Sequence, residues 1–141
     1  MGGLPDRLTG MAAALWWGSL TSIGFVVVPL LFASLPTPAL AGQTAARLFT
    51  AQTWISLGCT LLMLVATRSV HGGPAARRVQ AAIGFVVLGL LLALLAEFAV
   101  APHIVARDNL RLWHSVGSAM YLVQWVCAAV VLWRVIRPSA A

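Results

Sequence analysis

Glu97 and His114 are the two side chains of this sequence with the greatest capacity for chemistry. Glu97 is the only acidic residue inside an apolar run, and His114 is the only histidine inside one. An ionisable side chain in hydrocarbon costs several kcal/mol unless it is paired, so each is a candidate for function. At about 1.5 Å per residue, both lie roughly 9–12 Å from the same side of the membrane. We therefore expect them to meet by a direct or one-water hydrogen bond.

Two arginines can join this pair, because Arg47 and Arg111 each precede an apolar run at that same side. In a low dielectric, such a cluster is costly unless its members share charge or a proton. We expect Arg47 or Arg111 to be the third member of a polar cluster with Glu97 and His114. The structural alternative is a salt bridge between Glu97 and one arginine, with His114 serving only in packing.

No cofactor is predicted. Glu97 and His114 are weak candidates for metal ligands, but no third ligand is spaced to complete a site. The two axial histidines of a haem must face each other at one depth, and His103 and His114 are staggered. A haem- or metal-binding redox protein is therefore a minor alternative. Cys59 and Cys127 lie at different depths, so no disulfide is expected.

The usual catalytic patterns are absent from the sequence. It has no Ser-His-Asp order, phosphate-binding loop or pair of carboxylates, and Asp6 and Asp108 lie outside the apolar runs. Acid–base catalysis would have only Glu97 and His114 to use. We predict no catalytic residue, and an enzyme is the less favoured class.

The composition is typical of a membrane protein. The chain has 141 residues, of which 61% are hydrophobic and 9% charged, with a mean hydropathy of +0.95. A spanning helix needs about 20 apolar residues, and uncharged stretches cover residues 8–46, 48–67, 79–96 and 112–133. These stretches predict an all-α, integral membrane four-helix bundle that forms a single domain over residues 1–141.

Local signals place the helix ends. Polar residues or prolines mark each start: Asp6, Thr37-Pro38, Pro74 after Gly72-Gly73, and Asp108 or Asn109. The predicted helices cover residues 7–34, 38–67, 75–105 and 109–136. Pro29 and Pro102 predict kinks near the ends of the first and third. The first apolar run is too long for the core of a signal peptide, so we expect it to remain as a helix.

One pattern occurs twice along the chain. Phe-x-Val-x-Pro is found at residues 25–29 and again at 98–102, 73 positions later, and "RLFT" at 47–50 matches "RLWH" at 111–114. The matches predict two similar helical hairpins, residues 7–67 and 75–136, related as a parallel repeat. The second copy places Glu97 where the first has Gly24, and His114 where it has Thr50. Chance similarity in an apolar sequence is the alternative.

Small and polar residues recur at helical spacing on all four predicted helices. We expect the rows of small residues to pack closely, within one copy or between copies, and the hydroxyl stripes to form interhelical hydrogen bonds. The rows of small residues are Gly10, Ala14, Gly18 and Ser22 on the first helix and Gly89, Ala93, Glu97 and Ala101 on the third. The hydroxyl stripes are Thr53, Ser56 and Thr60 on the second helix and His114, Ser118, Tyr121 and Trp125 on the fourth.

All nine basic residues are arginines, and they lie at the ends of the apolar runs. This placement indicates topology signals and headgroup anchors rather than a nucleic-acid surface. Six arginines lie on the side of the two termini and three on the other, which predicts that both termini are cytoplasmic. His71 belongs to the expected cytoplasmic loop.

Several stretches together resemble an uncharacterised four-helix membrane family, a domain of unknown function that includes the vertebrate transmembrane protein 205. They are "LWWGSLTSIGFVVVPLLFASL", "AGQTAARLF", "FAVAPHI" and "WHSVGSAMYLVQ", between Leu15 and Leu132. The resemblance implies four spans, the bacterial inner membrane and no established reaction. The positions that match the family pattern are Gly18, Pro29, Phe32, Gly42, Phe49, Pro102 and His114. His103 does not match it.

Two function classes remain open. The first is transport or permeation of a small solute, metal ion or proton, with the polar cluster lining an outward-opening site. Four helices can hardly enclose a water path, so this function requires a homo-oligomer in the lipid bilayer. The second is a non-transporting accessory or scaffold protein, in which the polar residues only tie helices together.

Overall fold

The computed structural model describes residues 4–68 and 74–137, and this part of the chain is helical without strands. The helices are α1 (Leu4–Ser34), α2 (Pro38–Arg68), α3 (Pro74–Ala81), α4 (Ile83–Val105) and α5 (Leu110–Ile136). All but the short α3 are long and apolar enough to cross a membrane. A multi-pass membrane protein with four spans is therefore indicated. The expected loop around His71 lies outside the described residues.

The start of α2 follows from its local sequence. Pro38 is the first helical residue, where a missing N–H costs nothing because that donor would have no partner in the helix. The Thr37 hydroxyl accepts a hydrogen bond from the Leu40 N–H at 3.2 Å. Thr37 is therefore the cap that the sequence predicted.

The other two expected caps are wrong. Asp6 lies inside the first turn of α1, and its carboxylate accepts a hydrogen bond from the Ala75 N–H at 3.0 Å. Asp6 thus satisfies a free donor at the start of α3 rather than one in its own helix. Asn109 precedes α5 in a left-handed conformation and makes no side-chain cap, while the Asp108 carboxylate lies 3.3 Å from Nδ1 of His103.

The third predicted helix is divided at Ala82. The Phe85 N–H donates to the Ala82 carbonyl at 2.9 Å, where a continuous helix would use the Ala81 carbonyl. The Ala81 carbonyl instead accepts a hydrogen bond from Nη1 of Arg134 at 2.9 Å. An arginine of α5 therefore satisfies the group that the break between α3 and α4 leaves free.

Helices α1 and α4 each contain a proline near their C-terminal end, and each widens into a π-helix just before that proline. The segments are Ile23–Val27, ahead of Pro29, and Ala96–Val100, ahead of Pro102. A proline ring clashes with the carbonyl four residues earlier, and a wider turn relieves that clash. The kinks expected at the two prolines thus take the form of π-helical turns.

The four spans form a bundle in which α1 and α4 each pack against α2 and α5. Its interior is filled by large side chains, among them Trp16, Leu20, Met63, Val86 and Val131, all fully buried. The Trp16 ring crosses the centre to α4, where a Cβ on Gly89 would lie 2.6 Å from two of its ring carbons. Glycine at position 89 therefore makes room for the indole.

The two rows of small residues have different surroundings. On α4, Gly89 and Ala93 are buried in the bundle, in agreement with close packing within one copy. On α1, Ala14 and Ser22 are exposed, and nothing lies within 4 Å of a Cβ built on Gly18. The α1 row is therefore left largely open on the outside of the bundle.

Candidate functional site

Glu97 lies in the π-helical segment of α4 and is half-buried. Its Oε1 atom accepts a hydrogen bond from Oγ1 of Thr50 on α2 at 2.8 Å. Because the Thr50 side chain points at the carboxylate across the α2–α4 contact, the two residues bring three side-chain oxygens together. Oxygens of this kind are the preferred ligands of hard cations, and a carboxylate also takes up a proton.

Glu97 and Thr50 line a groove of about 460 Å³ between α2 and α4. The other lining residues are apolar and mostly small: Ala46, Ala101, Pro102, Val105 and Ala106. Small residues leave the space, and Pro102 contributes no backbone N–H to it. The groove therefore presents one acidic side chain and one hydroxyl in an otherwise apolar setting.

The direct contacts predicted for the cluster of Glu97, His114, Arg47 and Arg111 are wrong, since Glu97 bonds to Thr50 instead. Within residues 4–68 and 74–137 the ion pair between His103 and Asp108 stands alone, so no arginine or histidine pairs with Glu97. His114, Arg47 and Arg111 are all exposed. The salt-bridge alternative is wrong for the same reason.

The geometry of the π-helical turn explains this outcome. Glu97 faces α2, whereas Val100 of the same segment faces α5, where its Cγ1 lies 3.4 Å from a Cβ built on Gly117. Thr50, the residue that contacts Glu97, aligns with His114 in the sequence repeat. The sequence repeat therefore indicated the right level along the bundle for a partner of Glu97, but that partner belongs to α2 rather than α5.

His103 forms a separate group next to the groove. Its ring stacks on Trp113 with centroids 4.1 Å apart and planes 4° from parallel, and its Nδ1 contacts Asp108. Nowhere in the described part of the chain do three His, Cys, Asp or Glu side chains come together to hold a metal ion. Cys59 and Cys127 are both free and buried.

A second polar group lies in the interior of the bundle, and sequence reasoning missed most of it. Nε2 of Gln52 donates to the hydroxyls of Ser19 at 3.0 Å and Ser56 at 3.2 Å, and Nε2 of Gln124 donates to Ser56 at 3.1 Å. Both amides are nearly fully buried. The signal in the sequence is the glutamine itself, because an amide within an uncharged run needs a partner inside the bundle.

The hydroxyl stripe of α2 only partly bonds to other helices. Ser56 does so, whereas the hydroxyls of Thr53 and Thr60 donate to carbonyls of α2 itself, those of Phe49 and Ser56. A hydroxyl bonded to its own helix ties no second helix. The expectation of interhelical bonds therefore holds for Ser56 and fails for the two threonines.

On α5, the stripe does connect helices through its aromatic residues. The Tyr121 hydroxyl donates to the Leu20 carbonyl at 2.8 Å, and Nε1 of Trp125 donates to the Thr21 hydroxyl at 2.9 Å. Gly24 leaves room for Tyr121, since a Cβ at this position would lie 2.5 Å from its Cε1. These bonds hold α5 to α1 just before the first π-helical segment, whereas His114 and Ser118 are exposed.

The positions that matched a family pattern do not form one site. Pro29 and Pro102 follow the two π-helical segments, and Phe49 packs edge-on against Tyr121 at 5.3 Å. Phe32 and His114 are exposed. No atom outside the local helix lies within 4 Å of a Cβ built on Gly18 or Gly42. Among these positions, Pro102 alone lines the groove.

Comparison with known proteins identifies a family and no activity. The family described as "Domain of unknown function (DUF4149)" matches residues 11–112. This range contains Thr50, Glu97 and both π-helical segments, and it ends within the first turn of α5. No curated protein and no solved structure matches the chain.

Proposed function

We propose that this chain, which belongs to the DUF4149 family of domains of unknown function, passes a proton or small metal cation across the membrane as a homo-oligomer. The observation that carries this proposal is the carboxylate of Glu97. It lies within a membrane span, hydrogen-bonded to Thr50 and without a cationic partner among the described residues. A small polar solute would be held by the same oxygens.

The energetics of the carboxylate favour a cationic occupant. A charged side chain within a span costs several kcal/mol when unpaired, and Glu97 lies about 12 Å from the end of α4 at 1.5 Å per residue. One hydrogen bond from Thr50 offsets only a small part of that cost. A proton or cation that binds from the groove would neutralise the charge, so the unpaired state favours uptake.

The packing of the bundle favours a path beside the protomer rather than through it. The interior is filled by Trp16, Leu20 and Val131 among others, whereas the groove at Glu97 is open along its side. A second copy covering the groove would enclose it. The open row of small residues on α1 supports contact between copies, because such rows let helices approach closely in lipid.

We infer that the two hairpins arose by duplication. The π-helical segments start 73 residues apart, the same offset as the Phe-x-Val-x-Pro motifs that overlap them. Trp16 contacts Gly89 across the bundle, and these positions also differ by 73. A large side chain meeting a glycine at its equivalent position is the packing expected near a twofold axis. The same motif residues support a relationship to the family of vertebrate transmembrane protein 205.

We place the protein in the bacterial inner membrane with both termini in the cytoplasm. The inner membrane is what the family resemblance implies, and the arginines supply the orientation, because six lie at the end of the bundle that holds the termini and three at the other. Positive charge in short segments marks the cytoplasmic side. In this orientation the groove at Glu97 opens towards the periplasmic half of the membrane.

An accessory or scaffold protein is the second candidate. It is supported by the buried group of Gln52, Ser56 and Gln124, whose side chains bond to one another across the bundle. Polar side chains of this kind hold helices together without any transport. A stable bundle with no occupant at Glu97 would be sufficient for that role.

Flux measurements in proteoliposomes distinguish the two candidates. Proton and monovalent-cation flux would be recorded under imposed gradients for the wild type, Glu97→Gln and the control Asp108→Asn. We expect wild-type flux to be lost in Glu97→Gln and kept in Asp108→Asn, because Asp108 lies outside the groove. Absence of wild-type flux under every gradient contradicts permeation and favours the accessory role.

A further inference from the structure

We propose that the end of the bundle holding the two termini carries a binding site for the phosphate of an anionic phospholipid, on the surface of α5 where Arg134 lies over Phe85 of α4. A groove of about 520 Å³ lies there, lined by Ala129, Val130, Trp133, Arg134 and Arg137. It is at the opposite end of α4 from Glu97, and it does not depend on the proposed permeation. The two arginines and the tryptophan form the polar part of the site.

Neither guanidinium has an acidic partner among residues 4–68 and 74–137. Among the residues that the structure describes, no carboxylate lies within 4.0 Å of Arg134 or Arg137. Arg134 donates to the Ala81 carbonyl and lies over the Phe85 ring at 5.7 Å, and Arg137 lies over the Trp133 ring at 5.3 Å. These contacts orient both groups while leaving most of their donors available. Oriented arginines with free donors bind phosphate oxygens in a bidentate manner.

The surroundings favour a lipid over a free phosphate ion. Ala129 and Val130 belong to the apolar part of α5 and extend the groove towards the hydrocarbon region. Trp133 is 60% exposed near the end of its span, and tryptophan at this depth is typical of the membrane interface. A headgroup phosphate at the arginines would therefore have its acyl chains beside Ala129 and Val130.

Native mass spectrometry with titrated lipids tests this site. The wild type would be compared with Arg134→Gln/Arg137→Gln and with Arg107→Gln/Arg111→Gln, which removes the same charge at the other end. Phosphatidylglycerol, phosphatidylcholine and inorganic phosphate would each be added to protein in neutral detergent. Because Arg134 also bonds to Ala81, Arg137→Gln alone would be measured as a variant that keeps this contact.

We expect the wild type to bind phosphatidylglycerol at least about tenfold more tightly than phosphatidylcholine. Arg134→Gln/Arg137→Gln should lose this preference, Arg137→Gln should lose part of it, and Arg107→Gln/Arg111→Gln should keep it. Equal loss in the two double variants, or retention in both, overturns the proposal. Binding of inorganic phosphate that displaces phosphatidylglycerol also overturns it, since the ligand would then be the ion.

Discussion

At the scale of single residues, the notable feature is a carboxylate that no described residue neutralises. Glu97 receives one hydrogen bond from Thr50 and no ion pair from the described residues, although Arg47 and Arg111 lie at the same side of the membrane. A buried structural acid is usually paired, because its desolvation must be offset. The lack of a pair is the property that a site for a transient proton or cation requires.

The hydrogen bond between Thr50 and Glu97 can be measured by a double-mutant cycle. Thr50→Val removes the hydroxyl at nearly constant volume, so it should destabilise the protein when Glu97 is present and have little effect beside Glu97→Ala. We expect a coupling energy of about 0.5–2 kcal/mol in denaturation experiments. The matched control pairs Glu97→Ala with His114→Gln, which should be additive. Coupling to His114 but not to Thr50 would show that the assigned partner is wrong.

At the scale of helices, the spans follow from the sequence, but their rotation about their axes does not. Run length alone predicted four spans, and Thr37-Pro38 predicted a start from purely local chemistry. The partner of Glu97 could not be obtained this way, because residue counting gives a depth and no direction. A π-helical turn also changes the direction of every side chain that follows it, so Glu97 faces Thr50 while Val100 faces Gly117.

The contact between α1 and α4 depends on the absence of a side chain at position 89. Gly89→Ala would place a Cβ 2.6 Å from the Trp16 ring, and overpacking of this kind costs about 1–3 kcal/mol. Gly84→Ala is the matched control on the same helix, since nothing lies within 4 Å of its Cβ position, and its effect should be within about 1 kcal/mol. Thermal denaturation in detergent measures both. Equal stability of the two variants would contradict the packing of Trp16 against α4.

At the scale of the whole molecule, the two ends of the bundle differ in chemistry. One end holds six arginines and the proposed lipid site, and the other holds the groove with Thr50 and Glu97. The filled interior separates them. The proposed movement of an ion would therefore follow a surface shared by more than one copy, so the proposed function and the proposed homo-oligomer are tested together.

The orientation of this asymmetric bundle is testable with fusions. A reporter that is active only outside the cytoplasm should be silent after Ala141 and active after Pro36, which lies between α1 and α2. The expected pattern follows from the greater number of arginines at the end that holds the termini. The reverse pattern would place the groove at Glu97 on the cytoplasmic half and contradict the arginine argument.

Infrared difference spectroscopy of the carboxyl groups tests the central claim most directly, because the chain has only three acidic residues. Protein in lipid would be exchanged between acidic and neutral buffer, and between buffers with and without sodium. We predict a carboxyl band that responds to one of these exchanges, is lost in Glu97→Gln and is kept in Asp108→Asn. If no band assignable to Glu97 responds to either exchange, its carboxylate takes up neither ion and the account is contradicted.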